Sequence, residues 1–163
     1  MVRQIDEKTL KPAKARAYEL PSYSGGESRD ITLLLMSIDN PSDAIKQAVA
    51  GAAQWYEDHK IVGIREDRIP NDKSPKGYDV MHVADPKAEV RWCRFYDLDT
   101  GKPYFCGRDG VKKEKLSEVE MERRAGYAWF RPWGQPVLEA YPAWAAKNNA
   151  PALVPSKGMT LPL

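Results

Sequence analysis

Apolar side chains recur at helical spacing between Pro41 and His59, and this pattern constrains the fold more than any other part of the 163-residue chain. An α-helix with about 3.6 residues per turn brings positions i, i+3, i+4 and i+7 to one face. The apolar positions that follow this spacing are Ala44, Ile45, Ala48, Val49, Ala52, Trp55 and Tyr56. Proline at the first position and Asp43 in the first turn fit the start of a helix. The sequence therefore predicts a long amphipathic helix that packs against a core.

Shorter elements surround this helix and predict a mainly α fold with short β segments. The predicted elements are helices over residues 27–38, 117–124 and 136–148, strands over residues 78–84 and 91–96, and a charged loop over residues 65–77. Ser117 and Glu120 form a capping box for the second of these helices, and Gly126 ends it. The segment after Asn148 holds proline, glycine and little apolar mass, so residues 149–163 are expected to form a disordered tail.

A length of 163 residues suits a single domain that buries a core of its own. The net charge is +2, and the 25 basic residues do not form the long runs that are typical of a nucleic-acid arm. No apolar stretch is long enough to span a membrane, and the polar segment from Met1 to Glu7 does not have the pattern of a signal peptide. We therefore expect neither a nucleic acid nor a membrane as a partner.

The two cysteines, Cys93 and Cys106, both lie on aromatic segments. With His59 and His82 as the only histidines, the chain has no metal-ligand spacing, so no metal site is predicted from it. Both thiols are expected to be small buried hydrophobes. If their segments pair as a hairpin, a disulfide is the alternative, and a catalytic thiol is the least favoured interpretation.

Two arginines mark the aromatic segment from Arg94 to Gly110, and the second stands in the turn Gly107-Arg108-Asp109-Gly110. A guanidinium keeps its charge and matches a carboxylate in bidentate fashion. Glycine adopts backbone angles that other residues reach only with strain, so the flanking glycines favour a sharp turn that aims the Arg108 side chain. These residues indicate a carboxylate-binding site, and the alternative is a surface hairpin with two solvated arginines.

This segment resembles the signature of the family 10 pectate lyases among the polysaccharide lyases. Further blocks that are similar to the family occur in the expected order: residues 8–22, residues 24–28, residues 35–41, Trp55-Tyr56, residues 83–86 and residues 122–129. Together they cover nearly the whole chain up to about Trp144 and resemble the C-terminal half of the catalytic domain. The Asp-Asn and Asn-Asp-Asp motifs of the family's N-terminal half are not found, and Asp39-Asn40 is not equated with either.

The resemblance implies an incomplete (α/α)3 toroid, with residues 1–148 as the C-terminal half of a pectate lyase catalytic domain. It also implies calcium-dependent β-elimination of α-1,4-polygalacturonate, with calcium ligands that come mainly from the missing N-terminal half and from the substrate. By position in the matching motifs, Arg108 is implied as the Brønsted base. In the same way Arg94 and Arg16 are implied to bind uronate carboxylates. Tyr96 is expected to bind substrate by stacking on a sugar ring.

Several alternatives remain open at this point. Core packing is the alternative for Tyr96, Tyr104, Trp92 and Trp129, the aromatic residues that are candidates for sugar contact. A non-catalytic pectate-binding module would keep the arginines without the calcium carboxylates. One piece of a split enzyme would have a complementary N-terminal fragment or self-association as its partner, and a helical interaction protein is a third possibility. The resemblance implies a secreted protein, extracellular or periplasmic.

Overall fold

The computed structural model describes residues 1–163. Its helices are α1 (Glu27–Met36), α2 (Asp43–Asp58), α3 (Met121–Gly126) and α4 (Gln135–Asn148), and one 3₁₀ turn covers Leu116–Glu118. Its strands are β1 (Tyr23–Ser24), β2 (Ile64–Pro70), β3 (Tyr78–Ala84), β4 (Trp92–Cys93), β5 (Phe95–Tyr96), β6 (Phe105–Cys106), β7 (Lys112–Lys113) and β8 (Phe130–Arg131). They pair as four two-stranded antiparallel sheets, β1 with β5, β2 with β3, β4 with β8 and β6 with β7. None of the helices combines the length and the apolar character that a membrane crossing requires.

The prediction of a mainly α fold with an incomplete (α/α)3 toroid is wrong. Helices, with the 3₁₀ turn, hold 30% of the residues, and strands together with isolated β-bridges hold 20%. Between α2 and α4 the chain forms a single α-helix of 6 residues, α3, among strands and loops. Aromatic and β-branched residues in this middle segment fit a pleated, half-buried surface, and its prolines and glycines interrupt helices. The helical patterns at the two ends of the chain therefore do not extend through its middle.

The β2–β3 hairpin corrects the predicted charged loop over residues 65–77. Its register runs from Ile64 opposite Ala84 to Pro70 opposite Tyr78. Ile64 is the buried residue of β2, whereas the other side chains of this strand are half-buried or exposed and mostly charged. Because this strand lacks an apolar face, its sequence does not show the alternation from which strands are predicted. Strand β3 has the predicted bounds.

α2 is the helix that the apolar periodicity predicts, and it fixes one side of the molecule. The Ser42 hydroxyl accepts a hydrogen bond from the Ile45 N–H (3.4 Å) at its N-terminus. α2 contacts α1 and α4. Its buried residues are Val49, Ala53 and Tyr56. Ala44 and Ala48, which the periodicity assigns to the packed face, are exposed, so the packed face is rotated about the helix axis from the predicted one.

The predicted helix from Ser117 to Arg124 is divided into two elements. In the 3₁₀ turn, the Lys115 N–H donates to Glu118 Oε2 (2.9 Å), and α3 begins only after Glu120. Glu120 therefore does not share a capping box with Ser117. Its carboxylate instead accepts a hydrogen bond from the backbone N–H of Arg108.

Two hydrophobic clusters form the core, one around the strands and one between the helices. The first contains Phe95, Phe105 and Trp129, and the second contains Tyr56 and Trp92. Cys93 and Cys106 are free and buried, and burial raises the pKa of Cys93 to about 12. The interpretation of both thiols as buried hydrophobes is confirmed, and they do not form a disulfide.

Residues 149–163, for which the sequence predicts disorder, lie along the body of the molecule. The Val154 N–H donates to Gln54 Oε1, and the Gln54 amide donates back to the Val154 carbonyl, both at 2.9 Å. The Met159 N–H donates to the Lys60 carbonyl (2.7 Å), and its carbonyl accepts from the Val62 N–H (3.0 Å). Hydrogen bonds made by the backbone of this segment hold it in place. The low apolar content from which disorder is predicted gives no information about such bonds.

Candidate functional site

The turn that carries Arg108 is shaped by its two glycines and by Glu120. A Cβ at Gly107 would lie 2.2 Å from Glu120 Oε2, so only glycine lets the carboxylate approach this closely. Gly110 has φ +72°, in the left-handed region that favours glycine. Glu120 accepts from the Arg108 N–H and thereby fixes the backbone from which the side chain projects.

The Arg108 guanidinium lies at the surface in a bidentate pair with Glu122 of α3. Its Nη2 and Nε donate to Glu122 Oε1 and Oε2 at 3.0 and 3.3 Å, and its Nη1 donates to the Tyr18 hydroxyl at 2.9 Å. The hydrogen bonds to Glu122 raise the pKa of Arg108 above its ordinary value, and the same bonds lower the pKa of Glu122. With 52% of its side chain exposed, Arg108 is charged and accessible to a ligand.

Arg94 follows β4 and is mostly enclosed. Its Nη2 donates to Glu27 Oε1 at 2.6 Å, and its Cζ lies 5.6 Å from the ring centre of Tyr127 and 5.3 Å from that of Trp133. Its Nε is buried without a hydrogen-bond partner. Burial works against the charged form of Glu27, but the Ser24 hydroxyl and the charge of Arg94 outweigh it and lower the pKa of Glu27. Arg94 is thus part of a packed ion pair.

Arg16 is the most accessible of the predicted arginines. Its side chain is 66% exposed, and its nearest ion-pair partner is Glu19, whose Oε2 lies 3.8 Å from Arg16 Nε. Glu19 itself is buried and also pairs with Arg3, from Nη2 to Oε1 at 3.3 Å. Arg16 therefore has a guanidinium that no close carboxylate holds.

The prediction that Tyr96 binds substrate is not supported by its position, since the side chain is fully buried. Its hydroxyl donates to the His59 carbonyl and accepts from the Cys93 N–H, both at 2.9 Å. A ring enclosed in this way has no face to offer a sugar. The other aromatic candidates are also core residues: Tyr104, Trp92 and Trp129.

Two arginines that the sequence analysis did not single out complete the site. Arg123 of α3 is 4% exposed; its Nε donates to the Cys106 carbonyl (2.8 Å), and its Cζ lies 4.4 Å from the ring centres of both Tyr18 and Tyr127. Arg3 donates from Nη1 to the Tyr127 hydroxyl at 3.3 Å. The signal for Arg123 was its place in one of the motif blocks, whereas Arg3 has no sequence signal because its partners are distant in the chain.

We call these five residues the arginine cluster: Arg3, Arg16, Arg94, Arg108 and Arg123. Shared partners join them, because Tyr18 contacts two of them and Tyr127 contacts three. Arg16 is joined through Glu19, which also pairs with Arg3. Their carboxylate partners are Glu19, Glu27 and Glu122. With Glu120, which accepts from the Arg108 N–H, four carboxylates stand against five guanidinium groups and leave one positive charge, so the cluster is suited to a ligand that carries carboxylates.

The chain does not build a metal site of its own. No group of three or more His, Cys, Asp or Glu residues comes together. His82 packs against Phe105 and Phe130, and burial lowers its pKa to about 4, so it is a neutral core residue. The His59 ring stacks on Trp55. Neither histidine belongs to the arginine cluster.

Known proteins of one family are similar to this chain. The profile of the family described as pectic acid lyase matches residues 2–138. An aspartate-to-alanine mutant of a family 10 polysaccharide lyase from Cellvibrio cellulosa, in complex with trigalacturonic acid, is 30% identical over 90% of this chain and 42% of that chain, with a TM-score of 0.72. A second structure of a family 10 polysaccharide lyase from Cellvibrio cellulosa is 29% identical over 91% of this chain and 43% of that chain, also at 0.72. The chain thus spans about two fifths of the length of the solved structures that it matches. No curated protein sequence matches it.

Proposed function

The chain belongs to the pectic acid lyase family, and on that premise we propose that its arginine cluster binds the carboxylates of polygalacturonate for cleavage of this polymer by β-elimination. The observation that carries the proposal is the exposed, charged Arg108 on a turn whose backbone Glu120 fixes. The trigalacturonic acid in the complex of a similar lyase supports the choice of substrate. Because the substrate is a polymer, we place its cleavage outside the cell.

In the proposed reaction, a base removes the proton on C5, next to the carboxylate of one sugar. The electron pair of that C–H bond forms the C4–C5 double bond, the C4–O bond breaks, and the departing glycosidic oxygen takes a proton from water. Negative charge develops on the sugar carboxylate in the transition state, and nearby guanidinium groups stabilise it. The product has an unsaturated sugar at its new end.

Arg108 is the base that we propose, and its surroundings set a condition on that role. Only a neutral guanidine accepts a proton, and the bidentate pair with Glu122 raises the pKa of Arg108. Glu122 must therefore leave Arg108 before proton transfer. A charged Arg108 that exchanges Glu122 for a substrate carboxylate is a carboxylate clamp and not a base, and this favours a second function, a pectate-binding module without catalysis.

Calcium is the cofactor that a pectate lyase of this kind is expected to use, but the residues of this chain do not fit a calcium site. Calcium takes about six to eight oxygen ligands, and the chain gathers no group of three carboxylates or histidines. We propose that any calcium ligands come from the substrate and from carboxylates of a complementary polypeptide. The contribution of this chain to the positive charge of the site is its arginine side chains.

An assay of the chain with polygalacturonate separates the two functions. The unsaturated product is measured by its ultraviolet absorbance, with and without calcium, and binding is measured by affinity electrophoresis in pectate gels. Product formation supports the lyase, and retention in the gel without product supports the binding module. A chain that forms no product and is not retained in the gel refutes both functions. Arg16→Ala and Arg108→Ala are compared where product forms. If product still forms in Arg108→Ala, Arg108 is not the base.

A further inference from the structure

A basic cavity lies beside the arginine cluster, between the β2–β3 hairpin and the end of α3. Its volume is about 230 Å³, below the about 300 Å³ at which pockets for drug-sized ligands begin. The polar residues that line it are Glu66, Arg68, Lys76, Tyr78, Tyr127 and Arg131. A cavity of this size suits one monosaccharide unit.

The cations of this cavity are only partly neutralised. Arg131 Nη1 lies 3.7 Å from Glu66 Oε1, whereas the exposed Arg68 and Lys76 have no carboxylate partner. The Arg68 Cζ lies 4.7 Å from the ring centre of Tyr78, which holds the guanidinium by a cation–π contact and leaves its donors free. Three cations against one carboxylate leave two positive charges, enough to attract an anionic ligand.

Glu66 places one negative charge in the wall of the cavity. Its Oε1 lies 3.7 Å from Arg131 Nη1, whereas its Oε2 is enclosed by the protein and out of reach of a ligand. The exposed cations Arg68 and Lys76 are therefore the groups that a ligand can contact, and their free donors match a sugar that carries a carboxylate.

Tyr127 connects this cavity to the arginine cluster. It lines the cavity, and its ring centre lies 5.6 Å from Arg94 Cζ and 4.4 Å from Arg123 Cζ. We propose that the cavity binds a further galacturonate unit of the chain whose other units the arginine cluster binds. This subsite rests on the proposed function and adds Arg68, Lys76 and Arg131 to the residues that recognise the polymer.

Binding of galacturonate oligomers of two lengths tests the subsite. Calorimetry with trigalacturonate and hexagalacturonate is carried out on the wild-type chain, on the double variant Arg68→Gln, Lys76→Gln, and on a control, Lys73→Gln, Lys87→Gln. The control removes the same charge from two exposed lysines outside the cavity. Melting temperatures are measured for all three proteins.

The wild type is expected to bind the hexamer more tightly than the trimer. The cavity variant should lose about ten- to a hundredfold in affinity for the hexamer, with the trimer and the control unchanged. Equal affinity of the wild type for both oligomers overturns the subsite, and so does an equal loss in variant and control. If the wild type binds neither oligomer, the proposed function fails and the subsite fails with it. If it binds both and the cavity variant matches it, only the subsite fails.

Discussion

Arg94 and Arg108 stand in one sequence segment and one site, yet their surroundings give them different roles. Arg108 projects from a turn with 52% of its side chain exposed and is paired with the exposed Glu122. Arg94 keeps 23% of its side chain exposed and lies against Tyr127 and Trp133. Arg108 exchanges its carboxylate partner at little cost, whereas Arg94 is bound into the packing. Exposure, and not residue type, therefore decides which of the two arginines can exchange its carboxylate partner.

The largest effect is expected from Arg108→Ala, which should reduce pectate binding or cleavage without reducing stability. Pectate binding or product formation should fall about a hundredfold or more, the scale of losing a preorganised charge in a site, while the melting temperature stays near that of the wild type. Affinity electrophoresis and thermal unfolding measure the two properties.

Arg65→Ala is the matched control for this variant. Arg65 is 49% exposed and pairs with Asp67 in the same way, but it lies outside the arginine cluster. An Arg108→Ala protein that binds pectate as well as the Arg65→Ala protein would contradict a ligand role for Arg108.

Arg94→Ala, in contrast, should mainly lower the stability of the fold. It removes a charge-assisted hydrogen bond to Glu27 and the contacts with two aromatic rings, so the free energy of unfolding should fall by about 2 kcal/mol. Urea unfolding measures the loss, and a double-mutant cycle with Glu27→Gln isolates the share of the ion pair. Wild-type stability in Arg94→Ala would abolish the contrast between the two arginines.

The sequence predicts the local parts of this molecule better than the parts built by distant contacts. The helix α2 follows from its apolar period, and the Arg108 turn follows from two glycines, because each signal lies within a few residues. Strand β2 is missed because its register with β3 supports a row of charged side chains that has no apolar alternation. Glu122 and Tyr18, which hold the Arg108 guanidinium, come from other segments and have no signal beside it.

Burial is the property of the site that the sequence leaves open. The strand that carries Tyr96 offers two faces, and only the structure shows that this ring points into the core, where its hydroxyl bonds to His59 and Cys93. Arg123 is also unexpected there, since a buried guanidinium is rare without a carboxylate partner. It lies against the rings of Tyr18 and Tyr127, and its Nε donates to the Cys106 carbonyl.

Glu122→Gln is expected to have a smaller effect, and in the opposite direction. Glu122 competes with any ligand carboxylate for the Arg108 guanidinium and repels that ligand by its charge. An exposed ion pair is worth up to about 1 kcal/mol, so the affinity for trigalacturonate should rise by up to about fivefold, with stability nearly unchanged. Calorimetry of both proteins measures the change. Weaker binding in this variant would mean that Glu122 orients Arg108 for the ligand and does not compete with it.

The smallest effect is expected in the pH dependence of stability, where the two carboxylates should differ. The pKa of Glu27 is lower in the folded chain than its ordinary value of 4.5, so the unfolded chain binds more protons on acidification. The contribution of Glu27 is therefore fully present above about pH 4.5 and is lost as the pH falls through the folded pKa. In urea unfolding at about 0.15 M salt, where exposed pairs are screened, Glu27→Gln should flatten this acid loss by less than about 1 kcal/mol. Glu122→Gln should leave the acid loss close to that of the wild type, because both members of its pair are exposed. Equal flattening in the two variants would show that the Arg94 and Arg108 pairs are held alike, and the distinction between a packed and an exchangeable arginine would then be lost.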